Sequence, residues 1–283
     1  MKIDFHVHIT PPEISGNVSR YAGNEPYFAR LAENPKNRFA SAEEVIRELD
    51  AAGFDQAVVF GFGFRDLGLC RLVNDYVIAK VREFPKRLIG YMAIPPKHPE
   101  AEREIDRCYR AGLRGAGEIF PAGQDFRIDE AEDTRVFAEA CIERNLPVLI
   151  HANEPVGHYY PGKTDTPLHS LERFIEQYPD LTVILAHWGG GLLFYELMPE
   201  MREKCRKVYY DTAASVFLYD AKIYRTLCAL GLGEKILFGS DFPLIPISRY
   251  LKDLDASGVS EEAKTRILGG NGNTLLLPLS YNR

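Results

Sequence analysis

The sequence has 283 residues, the length of one large α/β domain or two ordinary ones. Its apolar fraction of 46% and charged fraction of 26% are those of an ordinary soluble globular protein. The net charge is −6, from 34 basic and 40 acidic residues. Such a chain gains nothing from neutralising phosphates, so we do not expect a nucleic acid partner.

The five cysteines lie far apart, and no two form a C-x-x-C pair. An odd number of isolated cysteines is typical of reduced thiols in a cytosolic protein. The N-terminus has Asp and His side chains where a signal peptide needs an apolar run. No stretch approaches the roughly 20 apolar residues of a membrane span. We therefore expect a cytoplasmic protein with no membrane partner.

The first eight residues alternate apolar and polar side chains, a period of two that is typical of a β-strand. Residues two apart on a strand point to the same face, so His6 and His8 should project side by side. Two imidazoles held this close make half of a transition-metal site. The alternative is a hydrogen-bonded surface pair that binds no metal.

A long first βα loop is predicted at about 10–40, where the sequence is rich in Asn, Pro, Gly, Tyr and Arg. Connections of this length are usually lids or binding loops. Ser41 and Glu44 then have the spacing of a capping box. They predict a helix that runs to about Ala52, with Gly53 as its C-cap.

Eight apolar strands alternate with helices along the chain. Their predicted ends fall near 8, 61, 94, 118, 151, 187, 211 and 241, and a spacing of about 33 residues is that of a βαβ unit. Continuous apolar strands predict a parallel sheet that is buried on both faces. We therefore predict an α/β fold, a (β/α)8 TIM barrel in a single domain over 1–283. An open doubly wound sheet is the alternative, although no G-x-G-x-x-G follows any strand.

Side chains that can bind metals stand at the carboxyl ends of these strands. They are His6, His8, Glu118, His151, His187, Asp211 and Asp241. Because a barrel brings these ends to one face, we interpret His151 and Asp241 as metal ligands and His187 as a site residue. Either histidine alone would more often be a hydrogen-bonded core residue. Glu118 could instead pair with an arginine such as Arg114, and Asp211 is interpreted as structural.

Four segments resemble the amidohydrolase superfamily. They are D-F-H-V-H near the start, V-L-I-H at strand five, V-I-L-A-H-W-G-G at strand six and I-L-F-G-S-D-F-P at strand eight. The resemblance is greatest to the amidohydrolase-2 group, which contains aminocarboxymuconate-semialdehyde decarboxylase and its relatives. The late segment I-L-G-G-N-G-N-T-L-L-L also resembles the C-terminal helix of that group.

The resemblance implies one or two divalent metal ions, with zinc as the first choice. The implied ligands are three histidines and one carboxylate. They are His6, His8, His151 and Asp241. His187 would contact the metal-bound water or the substrate, or bind a second ion. Binuclear members of the superfamily have a bridging carboxylate at strand four, where this chain has Glu118, and the mononuclear decarboxylases have none.

Hydrolysis is the leading expectation for the reaction. Imidazole and carboxylate ligands suit zinc, and manganese, cobalt and iron can take the same donors. Zinc lowers the pKa of bound water to about 7, which makes hydroxide available near neutral pH. Asp241 is then the natural general base, and His187 could polarise the substrate carbonyl. The substrate would be a small ester, lactone or amide.

The alternative is a non-oxidative decarboxylase or hydratase that acts on a small aromatic or unsaturated carboxylic acid. Such a reaction needs a cation to hold the carboxylate, and Arg20, Arg30 and Arg65 lie in loops that could supply it. A metal-dependent nuclease has the same order of ligands, and the acidic charge argues against it. The non-enzymatic alternative is a barrel whose metal is structural.

Aromatic residues follow several strand ends and predict a pocket for a small cyclic or aromatic substrate. They are Phe62, Phe64, Tyr159, Tyr160, Trp188 and Phe242. Among them Phe62, Tyr159 and Trp188 are the predicted substrate contacts. The alternative is that these rings pack the rim of the barrel. A homodimer is the default expectation for the oligomeric state.

Overall fold

The structure is a computed structural model that describes residues 1–33, 37–160, 163–164 and 166–280. Eight parallel strands follow one another around a ring. They are β1 (Ile3–His8), β2 (Gln56–Phe60), β3 (Leu88–Gly90), β4 (Ala116–Ile119), β5 (Val148–Ile150), β6 (Val183–Leu185), β7 (Val208–Asp211) and β8 (Ile236–Leu237). Neighbours pair in order from β1 to β3 and from β4 to β8. Single bridges join the two sets, Met92 to Ala116 and Val7 to Phe242, which closes the predicted barrel.

Helices connect successive strands and surround the ring. They are α1 (Pro12–Ser15), α2 (Val18–Ala22), α3 (Pro26–Glu33), α4 (Ala42–Ala52), α5 (Leu67–Glu83), α6 (Ala101–Ala111), α7 (Ala131–Glu143), α8 (Leu168–Gln177), α9 (Pro199–Lys204), α10 (Ser215–Leu218), α11 (Lys222–Ala229), α12 (Ile247–Ala256), α13 (Glu261–Thr265) and α14 (Asn271–Ser280). Within the part of the chain that the structure describes, no helix is long and apolar enough to cross a membrane.

Two apolar layers hold the barrel together. The inner one joins side chains from strands around the whole ring, among them Val58, Leu149, Ile184 and Leu237. These side chains can meet only inside the barrel, where they form a packed core. A larger cluster fills the space between the strands and the surrounding helices. This packing fixes the strand ends, and therefore the residues that stand on them.

The first βα loop is more regular than its composition predicts, because α1, α2 and α3 lie within it. Pro12 and Pro26 occupy first-turn positions, where the missing N–H of proline costs nothing. Phe28 of α3 is buried and packs its ring against Phe39, Phe62 and Phe64. This aromatic contact attaches the loop to the strand ends. Residues 34–36 of the predicted loop lie outside the described residues.

The capping box predicted before α4 is present. The Ser41 Oγ accepts the N–H of Glu44 at 3.3 Å, and the Glu44 carboxylate accepts the N–H of Ser41 at 2.8 Å. Gly53 ends the helix at φ 69°, in the left-handed region that favours glycine. Both ends of α4 are therefore fixed as the local sequence predicts.

We expect Ser41→Ala to lower the free energy of unfolding by about 1 kcal/mol, because one N-terminal N–H of α4 loses its acceptor. Urea unfolding followed by circular dichroism measures this change. Ser19→Ala is the matched control, since the exposed Ser19 hydroxyl contacts only the side chain of Asn17 among its hydrogen-bond partners in the described residues. Equal midpoints for the two variants would contradict the capping role.

Candidate metal centre

Histidine and carboxylate side chains from five strands meet at the carboxyl end of the barrel. They are His6 and His8 of β1, Glu118 of β4, His151 after β5, His187 after β6 and Asp241 after β8. His6 has no exposed surface, and Glu118 and His187 are also buried. The structure thus brings together the residues that strand counting predicted would converge.

Glu118 lies between two pairs of imidazoles. Its Oε2 is 3.8 Å from the Nε2 of His6 and 3.6 Å from the Nε2 of His8. Its Oε1 is 2.9 Å from the Nδ1 of His151 and 3.6 Å from the Nε2 of His187. One carboxylate therefore faces both pairs, which is the arrangement of a group that could bridge two cations.

Asp241 completes the group on the side of the β1 histidines. Its Oδ1 lies 3.7 Å from the Nε2 of His6 and 3.5 Å from the Nε2 of His8. There are two overlapping triads, His6–His8–Asp241 and His6–Glu118–His187, and within each the ligand atoms lie within 4.8 Å of one another. Imidazole nitrogens and carboxylate oxygens in this combination fit a divalent transition metal ion.

The electrostatics of the group favour positive charge. Burial alone would lower the pKa of His6, but the carboxylates of Asp211, Glu118 and Asp241 raise it to about 10. Burial also opposes the charged form of His187, and Glu118 and Asp241 raise its pKa to about 9. The carboxylates thus stabilise cations on these imidazoles, and a divalent ion is a cation that the same donors can hold.

The pKa values of the two acids, Glu118 and Asp241, are shifted in the opposite direction, to lower values. Burial raises the pKa of Glu118, yet the imidazoles of His151 and His6 hold it well below its usual range. Burial likewise raises the pKa of Asp241, but the hydrogen bond from His8 and the charge of His6 lower it to about 2. Both side chains are therefore carboxylates at neutral pH, as metal ligands must be.

His151 lies beside this group rather than within either triad. Its Nδ1 faces Glu118 at 2.9 Å, and its Nε2 lies 3.0 Å from the Oδ1 of Asn153. The amide oxygen of Asn153 also accepts the N–H and the hydroxyl of Thr164, which fixes its direction. His187 belongs to one of the triads and lies next to His151, with 3.3 Å between its Nε2 and the Nδ1 of His151. The expected role of His151 as a metal ligand stays a prediction.

A left-handed turn places His187. All residues from His187 to Gly191 have positive φ, between 55° and 89°. A Cβ on Gly190 would lie 2.3 Å from the backbone oxygen of Asn153, so this position needs glycine. The G-G-G run after Trp188 therefore allows the chain to turn tightly and aim His187 at the centre.

A cavity of about 480 Å³ opens over the centre. Aromatic and aliphatic side chains form most of its wall. They include Tyr27, Leu31, Phe39, Phe62, Phe120, Tyr160, Phe217, Leu218 and Leu244. Phe62 stacks on His8, with ring centroids 5.0 Å apart. The predicted aromatic pocket is present, and Phe62 is part of its wall.

Two predicted substrate contacts do not lie on this wall. Trp188 has no exposed surface, donates its Nε1–H to the Oγ of Ser215 at 2.9 Å and packs on Tyr224. It is a core residue, because the left-handed turn points the indole into the barrel wall. Tyr159 is 72% exposed and is not among the residues that line the cavity, whereas its neighbour Tyr160 lines it.

The three arginines proposed for the substrate carboxylate are also elsewhere. Arg20 and Arg30 lie over the rings of neighbouring tyrosines, and Arg65 donates its Nε–H to the backbone of Gly123. Among the described residues, Arg38 is the arginine that lines the cavity. Sequence reasoning missed it, since the only signal was its place in the same long loop as Arg20 and Arg30.

The amidohydrolase family model, Amidohydro_2, matches residues 3–276. The chain therefore belongs to this amidohydrolase family, as the resemblance of its motifs implied. The eight-stranded barrel and the cluster at its carboxyl end are consistent with that membership.

Similar proteins include several decarboxylases. The 2-amino-3-carboxymuconate-6-semialdehyde decarboxylase of Dictyostelium discoideum is 23% identical over 96% of this chain and 90% of that protein. The γ-resorcylate decarboxylase of Polaromonas sp. is 25% identical over 72% of this chain and 75% of its own.

Solved structures share the fold. The 5-carboxyvanillate decarboxylase of Sphingomonas paucimobilis superposes with a TM-score of 0.76 at 18% identity, over 97% of this chain and 98% of its own. A dihydroxybenzoic acid decarboxylase of Polaromonas sp., solved with bound manganese and an inhibitor, has a TM-score of 0.73 at 19% identity, over 100% and 97% of the two chains. The predicted TIM barrel is confirmed.

We propose that Glu118 joins two cation positions. Protein dialysed against Mn²⁺ or Zn²⁺ should then hold about two equivalents, and Glu118→Gln should hold about one. Metal analysis of the washed protein measures this. The control is Glu154→Gln, which removes a half-buried carboxylate outside the ligand triads and should leave the content unchanged. Two equivalents in both proteins would mean that Glu118 is not needed for the second ion, and one equivalent in both would favour a single ion.

Proposed function

We propose that the protein is a metal-dependent lyase that removes carbon dioxide, without oxidation, from a small aromatic or unsaturated carboxylic acid. The observation that carries this proposal is the cavity, whose inner end is the histidine–carboxylate group and whose walls are aromatic. The similarity to several decarboxylases supports this alternative over hydrolysis, which the sequence favoured.

The cofactor in this proposal is a divalent ion. The residues that would hold it are His6, His8, Asp241, Glu118 and His187, with His151 placed against Glu118. Zinc was the first expectation from the ligand types, and the manganese found in similar structures supports manganese equally. When bound, such an ion supplies Lewis acidity toward oxygen atoms of the substrate.

The walls of the cavity would orient the substrate and exclude water. Phe62 and Phe120 carry apolar ring faces beside the centre, where an aromatic substrate can stack. Arg38 can pair with a carboxylate through its planar guanidinium. A substrate held by both contacts would lie with its ring over the histidine–carboxylate group.

Decarboxylation breaks the bond between the substrate carbon and its carboxyl group and releases carbon dioxide. The bonding electron pair stays on the substrate carbon, which then takes up one proton. Asp241 and His187 both line the inner end of the cavity, so we assign them to this proton transfer. Because Asp241 is a carboxylate at neutral pH, it would first take up a proton from the substrate or from water and then deliver it to the carbon. The Nδ1 of His187 lies 3.1 Å from the carbonyl oxygen of Ala213, which places its proton on Nδ1 and leaves Nε2 facing the centre.

Hydrolysis of a small ester, lactone or amide is the second candidate. The observation that favours it is Glu118, because a carboxylate between two imidazole pairs suits a two-metal hydrolytic site. In this reaction Asp241 would act as general base and His187 would polarise the carbonyl. The two candidates use one centre and differ in the substrate that the cavity selects.

The deciding experiment incubates Mn²⁺- or Zn²⁺-loaded protein with 2,6-dihydroxybenzoate, 5-carboxyvanillate and muconate-type acids, and follows release of carbon dioxide. A parallel panel of aryl esters and lactones is followed by acid release. We expect metal-dependent carbon dioxide release from at least one acid. Turnover of esters or lactones with no carbon dioxide from any acid would make the protein a hydrolase.

Arg38→Gln should raise KM for the accepted acid by roughly 10-fold or more with a smaller change in kcat, because a charge-assisted hydrogen bond to substrate is worth about 1.5–3 kcal/mol. Its Glu44 partner is 3.9 Å away and both side chains are at least one-third exposed, so the fold should not suffer. Steady-state kinetics measure the effect.

The matched control is Arg30→Gln, which removes a guanidinium of the same loop that lies over Tyr27 and not on the cavity wall. Its KM should stay close to that of the wild type. If both variants change KM equally, a general loss of positive charge explains the effect and Arg38 has no specific contact.

A further inference from the structure

Asp211 ends β7 and contributes to neither triad, yet it contacts two residues of the centre. It has no exposed surface. Its Oδ2 lies 2.8 Å from the Nδ1 of His6. Its Oδ1 accepts the backbone N–H of His187 at 2.9 Å and that of Ala213 at 3.0 Å. One buried carboxylate is therefore shared between a ligand ring, the backbone of a second ligand and the turn that follows β7.

These contacts decide which nitrogen of His6 carries a proton. An ionised carboxylate can only accept hydrogen bonds, so the Nδ1 that faces Asp211 must be protonated. The lone pair of a neutral His6 is then on Nε2, the atom that faces Glu118, His8 and Asp241. A carboxylate behind a metal-binding histidine fixes its tautomer and its ring orientation in this way.

The same carboxylate acts on His187 through the backbone. His187 has a φ of 55°, and Asp211 accepts its N–H while the carbonyl of Ala213 faces its Nδ1 at 3.1 Å. Because Asp211 also holds the N–H of Ala213, both contacts to His187 depend on one side chain. The end of β7 thus directs the Nε2 atoms of His6 and His187 toward the same space.

We propose that Asp211 is a positioning residue that sets His6 and His187 as metal ligands by fixing the tautomer of the first and the backbone of the second. The proposal rests on the metal site of the proposed function and deepens it. It does not depend on which reaction the site performs, since binding of metal alone is sufficient to test it.

Asp211→Asn tests which ring nitrogen of His6 carries the proton, and it keeps a polar side chain of similar size at position 211. The amide oxygen can stay with the two backbone N–H groups, and its NH2 then faces the Nδ1 of His6. That NH2 donates, so the His6 proton must move to Nε2, where it blocks the ligand atom. We expect the affinity for Mn²⁺ or Zn²⁺ to fall about 10–100-fold, measured by competition with a chromophoric chelator.

Nuclear magnetic resonance of ¹⁵N-histidine-labelled, Zn²⁺-loaded protein shows which ring nitrogen of His6 carries the proton. A purely structural role of Asp211 predicts no change in this position. In the wild type the ring proton of His6 should be on Nδ1, with His6→Ala identifying its signals. In Asp211→Asn the proton should be on Nε2. A wild-type His6 that carries its proton on Nε2 would overturn the proposal, and this measurement holds even if the variant fails to fold.

Glu196→Gln is the matched control for burial. Glu196 has no exposed surface, and its carboxylate accepts the hydroxyl of Tyr210 at 2.8 Å and the ammonium of Lys235 at 2.6 Å. The variant should lose stability and keep its metal affinity. If Asp211→Asn keeps wild-type affinity, or if both variants lose affinity in proportion to stability, the positioning role is wrong.

The outcome for the wild type separates this inference from the proposed function. A wild-type protein that binds no Mn²⁺ or Zn²⁺ overturns both. A wild type that binds metal but releases no carbon dioxide from any acid overturns only the decarboxylase. Normal metal binding in Asp211→Asn overturns only the role of Asp211.

Discussion

The buried charge of Glu118 is the constraint on which the centre depends. A carboxylate with this little exposure is costly unless cations or strong donors compensate it. Here four imidazoles surround it, two from β1 and two from the turns after β5 and β6. The barrel makes this possible, because parallel strands deliver side chains from distant parts of the sequence to one small space. The buried charge of Glu118 therefore needs the surrounding imidazoles, and the barrel topology places them there.

The strand ends and the loops contribute different parts of the site. Residues on the strand ends form the charged group, and their positions follow from the packed barrel beneath them. Residues of the long loops form the cavity wall, among them Arg38, Phe39 and Tyr160. The centre therefore defines a general capacity for metal-assisted chemistry, while the loops select the molecule on which it acts.

The barrel and most of the centre could be predicted from sequence, because strand periodicity and apolar runs report on backbone geometry. His6, His8 and Asp241 converge since they end parallel strands. The remainder could not be predicted. Trp188 is buried because of consecutive positive φ angles, which periodicity does not encode. The position of Arg38 on the cavity wall depends on loop conformation, and the presence of His187 rather than His151 in a triad depends on side-chain direction. The single domain and the homodimer stay predictions.

The left-handed turn after β6 also bears on how this protein can change. From His187 to Gly191 each residue occupies a narrow region of backbone space, and Gly190 lies against the backbone of Asn153. An insertion or a larger residue here would disturb His187 and the neighbouring loop together. Beyond His8, the loop after β1 contributes no described residue to either triad. New substrate ranges are therefore more accessible to evolution through the first loop, whereas the turn after β6 conserves the chemistry.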